Sequence, residues 1–109
     1  MLIAVASMDG REINLHFGHA ERFMIYDVQD GAISLIEERQ VGRYCNSEPV
    51  HDLRAPLLKA TADALQGCRA LVVARIGDQP KTELERLGLE VFELEGPVYA
   101  ALLELTKIL

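Results

Sequence analysis

The run Leu2-Ile3-Ala4-Val5-Ala6 is a short and uninterrupted apolar segment near the start of the chain. Such runs are typical of strands that are covered on both faces, as in a parallel sheet. Residues 70–74 and 89–94 have the same character, and a short helical pattern lies between them. The first run and the two later ones are therefore predicted to form a parallel core.

A hairpin is predicted next to this core. Residues 22–28 are rich in side chains that favour strands. Asp30-Gly31 is a strong two-residue turn signal, and residues 32–41 form the predicted returning strand. We expect the hairpin to add antiparallel pairing at one edge of the sheet.

Three helices are predicted from apolar residues at helical spacing. The first runs from Asp52 to about Gln66, the second lies between Pro80 and Gly88, and the third follows Gly96-Pro97. The side chains expected to face the core are Leu53, Leu57, Leu58, Thr61 and Leu65 in the first helix, Leu84 and Leu87 in the second, and Val98, Ala101, Leu102 and Leu105 in the third. The predicted fold class is α/β, with a mixed five-stranded sheet and about three helices in a single domain over residues 1–109.

Composition excludes several classes of function. The chain has 109 residues and a formal net charge of −6, whereas proteins that bind nucleic-acid backbones normally present a basic face. Its apolar start is too short for a membrane span or a signal peptide, so we predict a cytoplasmic protein without a membrane or nucleic-acid partner. Cys45 and Cys68 form no Cys-x-x-Cys motif, and a disulfide between them is not expected in a reducing compartment.

The segment Asn14-Leu15-His16-Phe17-Gly18-His19-Ala20 holds two of the three histidines. Imidazoles are common metal ligands, and the glycine between them permits unusual backbone angles. Phe17 and Phe23 flank the second histidine and are expected to anchor this segment to the core. By itself the His-x-x-His pattern also fits two surface histidines. Whether it indicates a metal site depends on which other side chains lie near it in the fold.

Strand directions supply those neighbours. If the second strand pairs antiparallel to the first, the loops with His16 and His19, with Arg43 and Cys45, and with Arg75 open at one edge. Ligands of open α/β sheets bind at the carboxyl ends of parallel strands. A thiolate with one or two imidazoles can bind zinc, copper or an iron–sulfur cluster. Four thiolates are lacking, so we expect loose binding of a preassembled anionic cluster, aided by the two arginines.

Each of these residues also has a purely structural interpretation. His16 and His19 can be loop residues that form hydrogen bonds, and Arg43 and Arg75 can be solvated ion-pair partners. The structural interpretation of Gly18 is that it permits the backbone conformation of the loop. Cys45 fits the ligand role better, because it lies in a polar loop. The residues for which a structural role is favoured are Cys68, as a small hydrophobe beside a strand, and His51, as part of a helix cap.

Three other functions remain open at this point. A small zinc-dependent hydrolase would use His16, His19 and Cys45 with an open position for water. A nuclease is suggested by fold analogy alone, and the first strand does not end in the carboxylates that a two-metal site needs. A metal-free protein-interaction module would carry the histidine pair incidentally.

Several segments resemble one known family. They are Ile3-Ala4-Val5-Ala6-Ser7, His16-Phe17-Gly18-His19-Ala20, Phe23 with Ile25-Tyr26-Asp27-Val28, residues 39–45 ending in Tyr44-Cys45, Cys68-Arg69-Ala70-Leu71-Val72-Val73, and Arg75-Ile76-Gly77 ahead of Pro80. Together they cover nearly the whole chain. The chain resembles the NifX/NifB C-terminal family of nitrogenase iron–molybdenum cofactor biosynthesis proteins, and is more similar to the domain at the end of NifB than to NifX.

The resemblance implies a ribonuclease H-like α/β fold in a single cofactor-binding domain. It also implies transient binding of the iron–molybdenum cofactor or its iron–sulfur precursor, with partners of the NifB-like, scaffold or apo-nitrogenase type. It assigns cluster contact and metal ligation to His16, His19 and Cys45. NifB proper has a radical-SAM domain with a three-cysteine motif that this sequence lacks, so we expect a carrier and not an enzyme.

Overall fold

The computed structural model describes residues 1–17, 20, 22–40 and 60–109, and it confirms an α/β fold with a mixed five-stranded sheet. Along the chain the elements are β1 (Leu2–Val5), β2 (Glu12–Ile13), β3 (Arg22–Gln29), β4 (Ala32–Gln40), helical residues 60–64 that we call α1, β5 (Cys68–Val73), α2 (Asp78–Arg86), β6 (Glu90–Glu93), β7 (Gly96–Pro97) and α3 (Val98–Leu105). None of these helices is long and apolar enough to cross a membrane. The predicted helix start at Asp52, with Leu53, Leu57 and Leu58, and the strand end at residue 41 lie outside the described residues.

The main sheet has the strand order β4-β3-β1-β5-β6. β3 pairs antiparallel with both β1 and β4, whereas β5 pairs parallel with both β1 and β6. These are the predicted directions. β1, β4, β5 and β6 therefore end at the same side of the sheet, which we call the carboxyl edge.

The predicted hairpin turn is confirmed at Asp30-Gly31. Both residues have positive φ, at 51° and 82°. Such left-handed angles at the two central residues match the right-handed twist of the flanking strands. The turn therefore sets Ala32 opposite Gln29, and a one-residue register shift between Ile25 and Tyr26 then brings Gln40 opposite Arg22.

The central strand β1 is buried on both faces, as its apolar run predicts. Ala4 packs on one face, and Ile3 and Val5 pack on the other. The first face is covered by α2 and by the residues around Leu65, and the second by α3. The predicted core residues that are buried are Thr61, Leu65, Leu84, Val98, Leu102 and Leu105, and Ala101 is partly buried.

The structure corrects the predicted orientation of Leu87, whose side chain is 52 % exposed. The chain leaves α2 through Gly88, which has φ 98°. The N–H of Gly88 donates to the Glu85 carbonyl (3.1 Å) and that of Leu89 to the Leu84 carbonyl (3.0 Å). These are the two bonds of a Schellman motif. The turn buries Leu89 against Leu84, which is why Leu87 faces solvent.

A second, two-stranded sheet was not expected from the sequence. β2 pairs antiparallel with β7, and the N–H of Val98 donates to the Arg11 carbonyl (2.8 Å). Ile13 of β2 is buried in the same cluster as α3. The small sheet therefore ties the segment that follows β1 to the start of α3.

Truncation of Leu102 tests the packing of α3. We expect Leu102→Ala to lower the free energy of unfolding by about 2–5 kcal/mol, because a fully buried side chain leaves a cavity. Leu103→Ala is the matched control on the same helix, at a position that is 36 % exposed, with an expected loss of about 1 kcal/mol or less. Urea unfolding of the two variants measures both values, and equal losses would contradict the described helix orientation.

Substitution of Gly88 tests the turn after α2. No atom lies within 4 Å of the position that a Cβ would take, so steric crowding does not contribute. We expect Gly88→Ala to destabilise by about 1 kcal/mol, because only the left-handed backbone is penalised. Gly88→Asn should lose less, since asparagine tolerates this conformation. Thermal or urea unfolding gives the ranking, and an alanine variant as stable as wild type would refute the turn geometry.

Candidate functional site

Two predicted site residues, His16 and Arg75, meet at the carboxyl edge. They pair as an isolated parallel bridge. The N–H of Phe17 donates to the Arg75 carbonyl (2.8 Å), and the N–H of Ala74 donates to the Leu15 carbonyl (3.0 Å). Residues 15–17 thus continue the line of β1 beside the end of β5. The loops after these two strands converge, as the strand directions predict.

Packing of the neighbouring side chains leaves the imidazole at the surface. Phe17 is 2 % exposed and stacks on Phe23, with ring centroids 6.3 Å apart and an interplanar angle of 28°. Leu15 also packs against this cluster. His16 lies between these two anchored residues and is exposed, and Arg75 is exposed beside it. The predicted aromatic anchor is confirmed, and it presents a histidine and an arginine together.

The other predicted site residues, Gly18, His19, Arg43 and Cys45, lie outside the described residues, as does His51. Within residues 1–17, 20, 22–40 and 60–109, no group of three or more His, Cys, Asp or Glu side chains can hold a metal ion.

A second guanidinium lies at the same edge. Arg22 opens β3 and stands opposite Gln40, the last residue of β4. Its Nη2 donates to the Met8 carbonyl (3.3 Å), and its Nη1 lies 3.5 Å from Glu38 Oε2. No motif in the sequence distinguishes Arg22, although its position at the start of the predicted strand of residues 22–28, just after the histidine segment, is a usable signal. The carboxyl edge thus carries two guanidinium groups, those of Arg75 and Arg22, of which Arg22 is paired with Glu38.

The loop after β1 is organised by its own polar groups. Ser7 Oγ donates to the Glu12 carbonyl (2.5 Å) and accepts from the N–H of Gly10 (2.9 Å). Asp9 Oδ1 accepts the N–H groups of Arg11 (2.9 Å) and Glu12 (3.2 Å). These amide donors, Arg11 first and Glu12 second, hold the pKa of the Asp9 carboxyl below its usual value. The hydrogen bonds from these backbone amides therefore stabilise the ionised form of Asp9.

Cys68 lies at the opposite side of the sheet, where β5 begins. It is half-buried and packs against the core, beside a cavity of about 250 Å³. Burial raises the pKa of the Cys68 thiol, an effect that the nearby Arg39 guanidinium partly offsets. Neutral, inert thiols are typical of buried cysteines. This environment fits the small-hydrophobe interpretation of Cys68.

Two solved structures share the fold. The crystal structure of PH0822 matches with a TM-score of 0.68 at 18% sequence identity, covering 95% of this chain and 91% of that one. The NMR structure of the Thermotoga protein TM1290 matches with a TM-score of 0.56 at 19% identity, covering 97% and 87%. At such low sequence identity these similarities are evidence for the fold alone.

Sequence comparison identifies the family. The family model described as "Dinitrogenase iron-molybdenum cofactor" matches residues 1–107. The FeMo cofactor biosynthesis protein NifB of Frankia alni is 36% identical over 105 residues, which are 96% of this chain. The NifB protein of Rhizobium meliloti is 39% identical over 103 residues, or 91% of this chain. The chain spans about a fifth of these relatives, 21% and 20% of their lengths. By this match over nearly its whole length, the chain belongs to the dinitrogenase iron–molybdenum cofactor family.

Proposed function

We propose that this chain is a carrier that binds an anionic iron–sulfur or iron–molybdenum cofactor, or its precursor, during nitrogenase cofactor assembly and hands it to a partner. The observation that carries the proposal is the pairing of exposed His16 with exposed Arg75 at the carboxyl edge. Family membership and the relatives named FeMo cofactor biosynthesis proteins support this class of cargo. In this proposal the chain performs no catalytic step.

The two side chains supply complementary chemistry. Neutral imidazole is a common ligand of iron, whereas guanidinium stays charged and donates hydrogen bonds to anions. Paired strands lie about 4.8 Å apart, so side chains on residues 16 and 75 can reach the same cargo. Both residues are exposed, which suits a bulky preassembled cluster. The donor set therefore fits a negatively charged metal–sulfur cargo.

We further propose that His19 and Cys45 complete the metal ligands, with Gly18 allowing close approach and Arg43 adding positive charge. The end of β4 supports this assignment, because Gln40 lies at the carboxyl edge a few residues before Arg43. A cluster held by so few ligands can be released to an acceptor. Loose binding thus suits transfer better than storage.

The proposed partners are cofactor-assembly proteins of the NifB-like, scaffold or apo-nitrogenase type. The names of the matched relatives support this choice. We also propose that the sheet is of the ribonuclease H-like type. The antiparallel hairpin on one side of β1, the parallel strands on the other and the helices on both faces support that assignment.

Anaerobic titration of the purified protein with isolated cofactor precursor tests the carrier function. We expect the cluster to co-elute with wild type on gel filtration. The variants His16→Ala, His19→Ala, Cys45→Ala and Arg75→Gln should each bind about tenfold more weakly or worse, a loss of about 1.4 kcal/mol. Arg69→Gln is the matched control, because Arg69 lies on β5 toward its opposite end.

Two outcomes would refute this proposal. One is the absence of binding to wild type, and the other is binding that all four site variants leave unchanged. Tightly bound zinc together with hydrolytic activity would instead identify the protein as a zinc-dependent hydrolase.

Ionic strength tests the role of Arg75 separately. Exposed charges are screened by salt, with a Debye length of about 10 Å at 0.1 M and about 3 Å at 1 M. We expect the difference in affinity between wild type and Arg75→Gln to shrink as salt rises over this range. The His16→Ala difference should change less, because metal ligation is not a long-range attraction between charges. A salt-independent effect of Arg75→Gln would contradict an electrostatic role.

A further inference from the structure

We propose that Ser7 is a positioning residue: its buried hydroxyl closes the loop of residues 7–14 and thereby fixes the register in which His16 lies beside Arg75. Ser7 is 0 % exposed, and among the described residues it shares burial of a polar side chain only with Thr61. The consequence of this role for cargo binding rests on the proposed carrier function.

The line of the central strand is interrupted between Ala6 and Leu15. The N–H of Ala6 donates to the Val72 carbonyl (2.9 Å), and the next bond along β5 joins the N–H of Ala74 to the Leu15 carbonyl (3.0 Å). Residues 7–14 form a loop between these two bonds, and this loop contains β2, which pairs with β7. The chain must then return beside β5 at the correct residue.

Two side chains, those of Ser7 and Asn14, form hydrogen bonds across this loop. Ser7 Oγ links the start of the loop to the Glu12 carbonyl and to the N–H of Gly10. Asn14 Oδ1 accepts the N–H of Met8 (3.0 Å), which joins the two ends of the loop. Loss of the Ser7 hydroxyl would leave the partly buried Glu12 carbonyl and Gly10 N–H without that partner, and such groups cost free energy when they lack one. The hydroxyl therefore determines the path by which residue 15 is reached.

The register has a direct effect on the site. Successive side chains of an extended segment face opposite sides, so a slip of one residue exchanges the buried and exposed sets. In the described register Phe17 stacks on Phe23 and His16 is exposed. A slip would turn the imidazole towards the core and the phenyl ring towards solvent. Closure of the loop in this register thus determines whether the His16 imidazole is exposed at the carboxyl edge.

Hydrogen exchange of the cargo-free protein tests this role. The reporters are the amides of Phe17 and Ala74, which hold residues 15–17 to β5, and the reference is the amide of Val28, which donates to the Met1 carbonyl (2.8 Å) at the other side of the sheet. In Ser7→Ala we expect both reporters to exchange about tenfold faster or more, with Val28 changed less than about twofold.

Three further variants sharpen the test. Ser7→Thr keeps the hydroxyl and should restore slow exchange at Phe17 and Ala74. Asn14→Ala removes the exposed loop closure and should accelerate the same two amides by a smaller factor. Ser34→Ala, at an exposed serine of β4, is the control and should leave all three amides unchanged.

The outcomes separate this role from general stability and from the carrier function. Equal acceleration at Phe17, Ala74 and Val28, or no acceleration in Ser7→Ala, would overturn the positioning role. If wild type binds the cofactor precursor, Ser7→Ala should bind it about tenfold more weakly and Ser7→Thr about as well as wild type. If wild type binds none, the carrier function fails, while the exchange result alone still decides whether Ser7 sets the register.

Discussion

The hydrogen bonds between residues 15–17 and the end of β5 are the contact on which the candidate site depends. They bring a histidine from the segment after β1 next to an arginine from the segment after β5. Neither backbone bond is strong, since a typical intramolecular hydrogen bond contributes about 1 kcal/mol. The stacked pair of Phe17 and Phe23 supports them by burying the neighbouring side chain. Hydrophobic anchoring and backbone pairing together hold an exposed polar pair in a defined place.

Charge and burial distinguish the two sides of the sheet. At the carboxyl edge, exposed Arg75 presents a guanidinium that can donate hydrogen bonds to the proposed anionic cargo, whereas the Arg22 guanidinium is paired with Glu38. At the other side, Cys68 is half-buried and its pKa is raised, so its thiol is a poor ligand at neutral pH. The exposed imidazole of His16 and the half-buried thiol of Cys68 thus lie at opposite sides of the sheet.

Local patterns predicted most of the fold. The apolar run of β1, the Asp30-Gly31 turn and the helix-ending Gly88 each carry a signal within a few residues, and all three are confirmed. The meeting of His16 and Arg75 followed from strand directions. The pairing of β2 with β7 could not be foreseen, because two-residue strands have no periodicity and their partners are distant in sequence.

Side-chain environments were harder to predict than elements. Leu87 fits the helical spacing, but a Schellman turn ends the helix before it and buries Leu89 instead. Ser7 looks like an ordinary turn residue, since serine and aspartate near glycine commonly form loops. Only the three-dimensional path reveals that its hydroxyl is buried. The ligand roles of His16, His19 and Cys45 all stay predictions, and the last two residues lie outside the described residues.

Amide NMR spectra recorded before and after anaerobic addition of the cofactor precursor would show where on the protein the cargo binds. An iron-containing cluster that is paramagnetic broadens the resonances of amides close to it. We predict binding at the carboxyl edge, with selective loss of the Phe17, Arg75 and Ile76 signals, while those of Cys68 and Gly31 at the other side are retained. Broadening centred on Cys68, or spread evenly over the sheet, would contradict it.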